Sequence, residues 1–156
     1  MNIVYYLDWF PRLSQSFILN EIHYLHKSGH NVSVFSINNP DSNIKHNEFS
    51  SIDIPVDYAD IPTLTDIACI IKNITRKKVK TAIQRDTASQ MAGYMYIDSC
   101  FRQFVHSLPY EVDHVHSHFF RWNKLPAALV ARDLGVSATI TGHAYDIFEE
   151  SDASLI

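Results

Sequence analysis

Three short stretches of this chain carry side chains that could do chemistry. His114-Val115-His116-Ser117-His118 repeats histidine at every second position, so on a strand the three imidazoles share one face. Imidazole is the commonest zinc ligand, and metal ligation is one reading of this run. The other reading has one or two of the histidines hydrogen-bonded near a strand end, with His114 exposed. A His-x-His pair without a third ligand or a nearby carboxylate is a poor metal signature, and neither HExxH nor CxxC accompanies it. The expectation is therefore no metal. In Thr139-Ile140-Thr141-Gly142-His143-Ala144-Tyr145-Asp146-Ile147, Gly142 permits a tight, left-handed turn. His143 would then project past the strand end with Asp146 close behind, placed to hydrogen-bond a substrate hydroxyl or to shuttle a proton. A solvent-facing loop histidine, with Asp146 capping a short helix, fits the same residues. Phe10-Pro11-Arg12-Leu13-Ser14-Gln15-Ser16 runs straight into a helix start. Free backbone N–H groups and the positive helix end favour an anion there, assisted by Arg12 or the serine hydroxyls. The plainer account is a proline-stiffened turn with a serine cap.

These stretches need elements to position them. Ile3–Leu7 is an apolar run of the kind a buried strand makes, and Pro11 stops it continuing as a central strand. Ile18, Ile22 and Leu25, widened by Phe17, give a helical stripe that Ser14 or Ser16 can cap and Gly29 can stop. Val32, Val34, Phe35 and Ile37 mark a second strand over Asn31–Ile37, completing a strand–helix–strand unit. A short strand is expected at Ile52–Val56. Beyond it, Leu64–Ile74 and Met91–Val105 read as helices. Asp113–Phe119 reads as a strand, Trp122–Leu134 as a helix ended by Gly135, and Val136–Thr141 as a further strand. No linker divides residues 1–156, so the expected fold is a single α/β domain: a Rossmann-like open parallel sheet with helices on both faces. In such sheets ligands bind beyond the carboxyl ends of the strands, where all three stretches fall.

Composition narrows the function classes. With 156 residues, 46% hydrophobic and 19% charged, the chain can bury a real core, which excludes disorder and a small disulfide scaffold. Its longest apolar runs are far short of the roughly 20 residues that span a bilayer, and its first residues lack the basic flank of a secretory signal. Cys69 and Cys100, 31 residues apart, read as reduced thiols in a cytoplasmic protein. The net charge of −4 argues against wholesale nucleic-acid binding. Yet residues 62–85 hold 6 basic side chains against the single acid Asp66. Lys72, Arg76, Lys77, Lys78, Lys80 and Arg85 make either an ordinary solvated helix face or a patch facing anionic lipid at a membrane surface. The chain's 4 glycines cannot write GxGxxG or GxxxxGK[ST], so neither familiar phosphate loop is present.

The stretch Phe10-Pro11-x-x-Ser14-Gln15-Ser16-Phe17-Ile18-x-x-Glu21-Ile22-x-x-Leu25-x-x-x-Gly29-His30-x-Val32 resembles the opening of family 4 glycosyltransferases of the GT-B fold. The likeness is to the branch that builds exopolysaccharide, colanic-acid-type polymers and lipopolysaccharide. His116-x-His118-Phe119 resembles that branch's HxHF element, and Thr141-x-His143-Ala144-x-Asp146-Ile147 its T-x-H-A-x-D-I element. The resemblance implies the N-terminal, acceptor-side half of a retaining, metal-independent enzyme. Such an enzyme takes sugar from a nucleotide-sugar donor to a glycan or lipid-linked acceptor and needs no cofactor. It implies that His143 contacts the donor sugar, that Arg12, Ser14, Gln15 and Ser16 face donor phosphates and acceptor, and that His118 lines the cleft. It also implies a missing C-terminal donor-binding domain with an E-x7-E element, which the adjacent Glu149 and Glu150 cannot replace. The isolated chain is then expected to transfer no sugar at a useful rate. Location at the inner face of the cell membrane goes with the lipid-linked acceptor. Two other classes fit less of the chain: a metal-dependent hydrolase built on the HxH pair with His143, and a non-catalytic carbohydrate-binding half-domain.

Overall fold

The computed structural model describes residues 1–40, 53–59, 88–144 and 146. Its elements are β1 (Asn2–Trp9), α1 (Ser16–Lys27), β2 (Asn31–Asn38), β3 (Val56–Tyr58), α2 (Ala88–Ser107), β4 (His114–His118), α3 (Leu125–Leu134) and β5 (Ser137–Thr141). The five strands form one sheet in the order β3-β2-β1-β4-β5, and every pairing is parallel. This is the Rossmann-like open sheet expected from the sequence. The chain winds outward from β1 to β2 and β3, then returns to the other side of β1 to lay down β4 and β5. The switch point therefore lies between β1 and β4, where an open parallel sheet leaves a crevice past its strand ends.

β1 is central and buried on both faces, which is why its sequence is a continuous apolar run rather than an alternating one. Alternation still sorts its side chains. Ile3, Tyr5 and Leu7 join Val32 and Val34 under Ile18, Leu19 and Ile22 of α1. Val4 and Tyr6 join Phe35 and Val115 under Phe101, Phe104 and Val105 of α2 and Ala127, Val130 and Ala131 of α3. Helices thus cover both faces. The Tyr6, Phe35 and Phe101 rings meet at 4.9–5.7 Å between centroids, in the range of favourable aromatic pairs.

Several local expectations are corrected. Neither Ser14 nor Ser16 caps α1: Leu13–Gln15 forms a 3-10 turn, Gln15 takes the cap position, and no side chain bonds the first helical N–H groups. The short third strand begins at Val56, at the end of the expected stretch rather than within it. The first turn before α3 is a separate 3-10 segment, Trp122–Lys124. Gly135 ends α3 in the left-handed region at φ 74° and Gly29 follows α1 at φ 84°, as glycine permits without a Cβ clash. At the strand ends near the crevice, the left-handed residue is Phe119 (φ 63°) rather than Gly142.

The basic run Lys72, Arg76, Lys77, Lys78 and Lys80, the expected helix at 64–74 and Cys69 lie outside the described residues. Cys100 is a half-buried cysteine. Among the described residues, no helix is long and apolar enough to cross a membrane.

Candidate functional site

The three chemistry-bearing stretches meet at the carboxyl end of the sheet around β1, β4 and β5. Parallel pairing puts His118 beside Thr141, so the turn after β5 carries His143 back over β4. His118 Nδ1 and His143 Nε2 stand 3.2 Å apart, and the two rings stack with 5.5 Å between centroids. Phe17, in the first turn of α1, packs against His143 at 5.0 Å and His118 at 5.9 Å. The Phe119 ring lies 4.4 Å from that of His143. Phe17 is exposed, so one aromatic face of this group looks outward.

Asp146 fixes the geometry. Its carboxylate accepts the backbone N–H of His143 at 3.0 Å and that of Phe120 at 3.1 Å, clasping the loop after β5 to the loop after β4. The side chain is fully buried, and Arg121 Nε stands 4.0 Å from its second oxygen. Asp146 thus holds the two loops together from a buried position. Arg12, Ser14 and Ser16 are exposed and Gln15 half-buried at the entrance to α1, where Gln15 N–H donates to the Arg12 carbonyl at 2.9 Å.

Sequence reasoning missed Glu21. It sits inside the α1 stripe defined by Ile18, Ile22 and Leu25, and a carboxylate within a core-facing stripe was the available signal. Glu21 is 3.7 Å from His116 Nε2 and 3.5 Å from His118 Nε2, and it accepts the Tyr5 hydroxyl at 2.6 Å. This is the carboxylate whose apparent absence weakened the metal reading of the HxH run, and it comes from a helix some hundred residues upstream. His114 and His116 bond β5 hydroxyls instead of lying free. His114 meets Ser137 at 2.6 Å and Thr139 at 2.7 Å, while His116 meets Thr139 at 2.7 Å and Thr141 at 3.3 Å. His143 takes no part in the Glu21 cluster.

Burial favours the neutral form of the His116 and His118 imidazoles. Burial outweighs the attraction of Glu21 and pushes the His118 pKa down to about 4; neighbouring His116, His143 and Lys124 act in the same direction as burial. His116 is lowered for the same first reason. The adjoining buried cation is Lys124, whose ammonium donates to Asp8 at 2.5 Å and lies 5.5 Å above the Tyr6 ring.

No family model and no curated protein matches the sequence. Among solved structures, the chain is similar to the C-terminal domain (residues 83–215) of the PF1911 hydrogenase from Pyrococcus furiosus. The identity is 10% and the TM-score 0.48, over 89% of this chain and 90% of that one. It is also similar to MurG of Acinetobacter baumannii, at 18% identity and TM-score 0.45, over 90% of this chain and 33% of that one. This chain spans about a third of MurG's length. Likeness at this level says nothing about activity.

Proposed function

We propose that this chain is the acceptor-side domain of a retaining glycosyltransferase. It moves sugar from a nucleotide-sugar donor to a glycan or lipid-linked glycan during assembly of a cell-surface polysaccharide. One observation carries the reading. The motifs at 10–32, 116–119 and 141–147 resemble the same family in the same order, and the side chains Phe17, His118, Phe119 and His143 from them converge at the switch point of an open parallel sheet.

In this reading His143 hydrogen-bonds a hydroxyl of the transferring sugar, held in place by Asp146 and by stacking on His118. Phe17 and Phe119 offer an apolar face to a sugar ring. The uncapped first turn of α1, beside Arg12, Ser14, Gln15 and Ser16, favours the negative charge of donor phosphates or of the acceptor. Transfer also needs a donor-binding domain opposite this one, to stabilise the departing nucleoside diphosphate. The basic run at 72–80 faces anionic lipid where the acceptor is lipid-linked.

The test is nucleoside diphosphate release and glycan extension with a panel of nucleotide sugars, using the polypeptide encoded by the complete reading frame. His143→Ala is expected to lower kcat by roughly 100-fold with little change in donor KM. An unchanged kcat in that variant overturns the reading, as does failure of the folded protein to use any nucleotide sugar.

A further inference from the structure

The geometry points to a divalent zinc site built from Glu21, His116 and His118, at the junction of α1 and β4. It stands independently of the transferase reading, which assigns no ion to the protein.

The donor set is the first argument. Two imidazole nitrogens and a carboxylate oxygen lie within 4.8 Å of one another. His116 Nε2 lies 3.7 Å from Glu21 Oε1 and His118 Nε2 3.5 Å from Oε2, so each histidine already stands near the roughly 3.4 Å edge of a tetrahedron with ~2.1 Å bonds, from one or other carboxylate oxygen. The separation between the two imidazole nitrogens is at most 4.8 Å and shortens by rotation of the His116 ring, while the partly exposed Glu21 carboxylate turns to present one oxygen to both. In doing so His116 gives up its long 3.3 Å contact with Thr141. Two histidines and one glutamate form a recognised zinc ligand set, with the fourth corner left to water.

The second argument is an unmet need. The His118 side chain is 1% exposed, and its buried Nε2 has no hydrogen-bond partner, although it faces Glu21 Oε2 at 3.5 Å. Buried polar atoms in native proteins are almost always satisfied, so an orphan aimed at a carboxylate calls for something between them. Burial keeps this imidazole neutral, as a metal ligand must be.

The supporting contacts are the third. Ligating histidines engage a second group through the other ring nitrogen, and ligating carboxylates are themselves hydrogen-bonded. Here His118 Nδ1 meets His143, His116 Nδ1 meets Thr139, and Glu21 accepts from Tyr5. The nearby Lys124 does not compete, because Asp8 pairs it. An ion here would pin α1 to β4 and set the His118 ring on which His143 stacks.

The experiment is calorimetric titration of chelator-stripped protein with Zn²⁺, with elemental analysis after desalting. One ion per chain is expected. Glu21→Gln and His116→Ala should each weaken binding by about 100-fold, and Tyr5→Phe by about 10-fold, through loss of a supporting hydrogen bond. The exposed His106→Ala should change nothing. Co²⁺ should give visible absorption bands of a tetrahedral site in the wild type and not in Glu21→Gln. Circular dichroism confirms that each variant is folded. Absence of stoichiometric binding by the folded wild type overturns the proposal. So does equal weakening by His106→Ala, which would mark scattered surface histidines. Zinc binding without use of any nucleotide sugar would sink the transferase reading and leave this one standing.

Discussion

Removing the Asp8 carboxylate should be among the costliest single changes to this fold. Lys124 is 6% exposed, and its ammonium donates to Asp8 Oδ1 at 2.5 Å, while the Asn123 side-chain amide donates to the same oxygen. Burial, helped by the charge of Arg121, lowers the Lys124 pKa, and Asp8 is the main influence opposing it. Asp8→Ala therefore strands a buried ammonium and an amide donor together. Breaking a buried ion pair from one side typically costs about 3–5 kcal/mol. For a domain of this size each kcal/mol lowers Tm by about 2–4 °C, so a fall of roughly 6–20 °C is expected. Lys124→Met should cost less, because Asp8 keeps Asn123 and some solvent. The double variant should be more stable than the sum of the two losses predicts, by at least about 2 kcal/mol, since no charge is then left unpaired. Urea denaturation of the four proteins, with m-values compared, measures the cycle. A loss under about 1 kcal/mol for Asp8→Ala, or additivity within about 0.5 kcal/mol, refutes the claim that this pair closes the β1 end onto the segment before α3.

Three further outcomes are expected. Asp146→Ala orphans the N–H groups of His143 and Phe120, each worth about 1–3 kcal/mol when buried, whereas Asp146→Asn keeps an amide oxygen where Oδ2 accepts both and should cost clearly less; urea midpoints decide, and equal losses would count against the clasp. With a chelator present, His118 makes the unfolded chain the stronger proton binder between its ordinary pKa of 6.5 and about 4. Stability should thus fall by roughly 3 kcal/mol from this residue as pH drops through that window, and the fall should be clearly smaller in His118→Gln, leaving the share of His116; denaturation at stepped pH reads it. Gly135→Ala, at φ 74°, should destabilise by about 1 kcal/mol, against no change if the α3 end can unwind.

The sequence by itself determined the fold class and the place of the site. Continuous apolar character in 3–7 and the helical stripe of α1 required a buried parallel strand and its covering helix, because burial on both faces leaves no room for alternation. Period two put His114, His116 and His118 on one face. Motif spacing placed 10–16 and 141–146 at strand ends. These are consequences of local periodicity, which one segment expresses without its neighbours.

Only the tertiary structure decided the partners. That Glu21 faces His116 and His118, that Asp146 clasps two loops, and that Asp8 neutralises Lys124 each depend on strand order and register. Such pairings join groups that are distant in sequence. Their free energy comes from desolvation and from fixed geometry, and a linear chain specifies neither until the sheet is assembled. The empty cap position of α1 has the same origin. Ser14 and Ser16 have the right chemistry for a cap, but the 3-10 turn at 13–15 puts Gln15 where the capping side chain would stand.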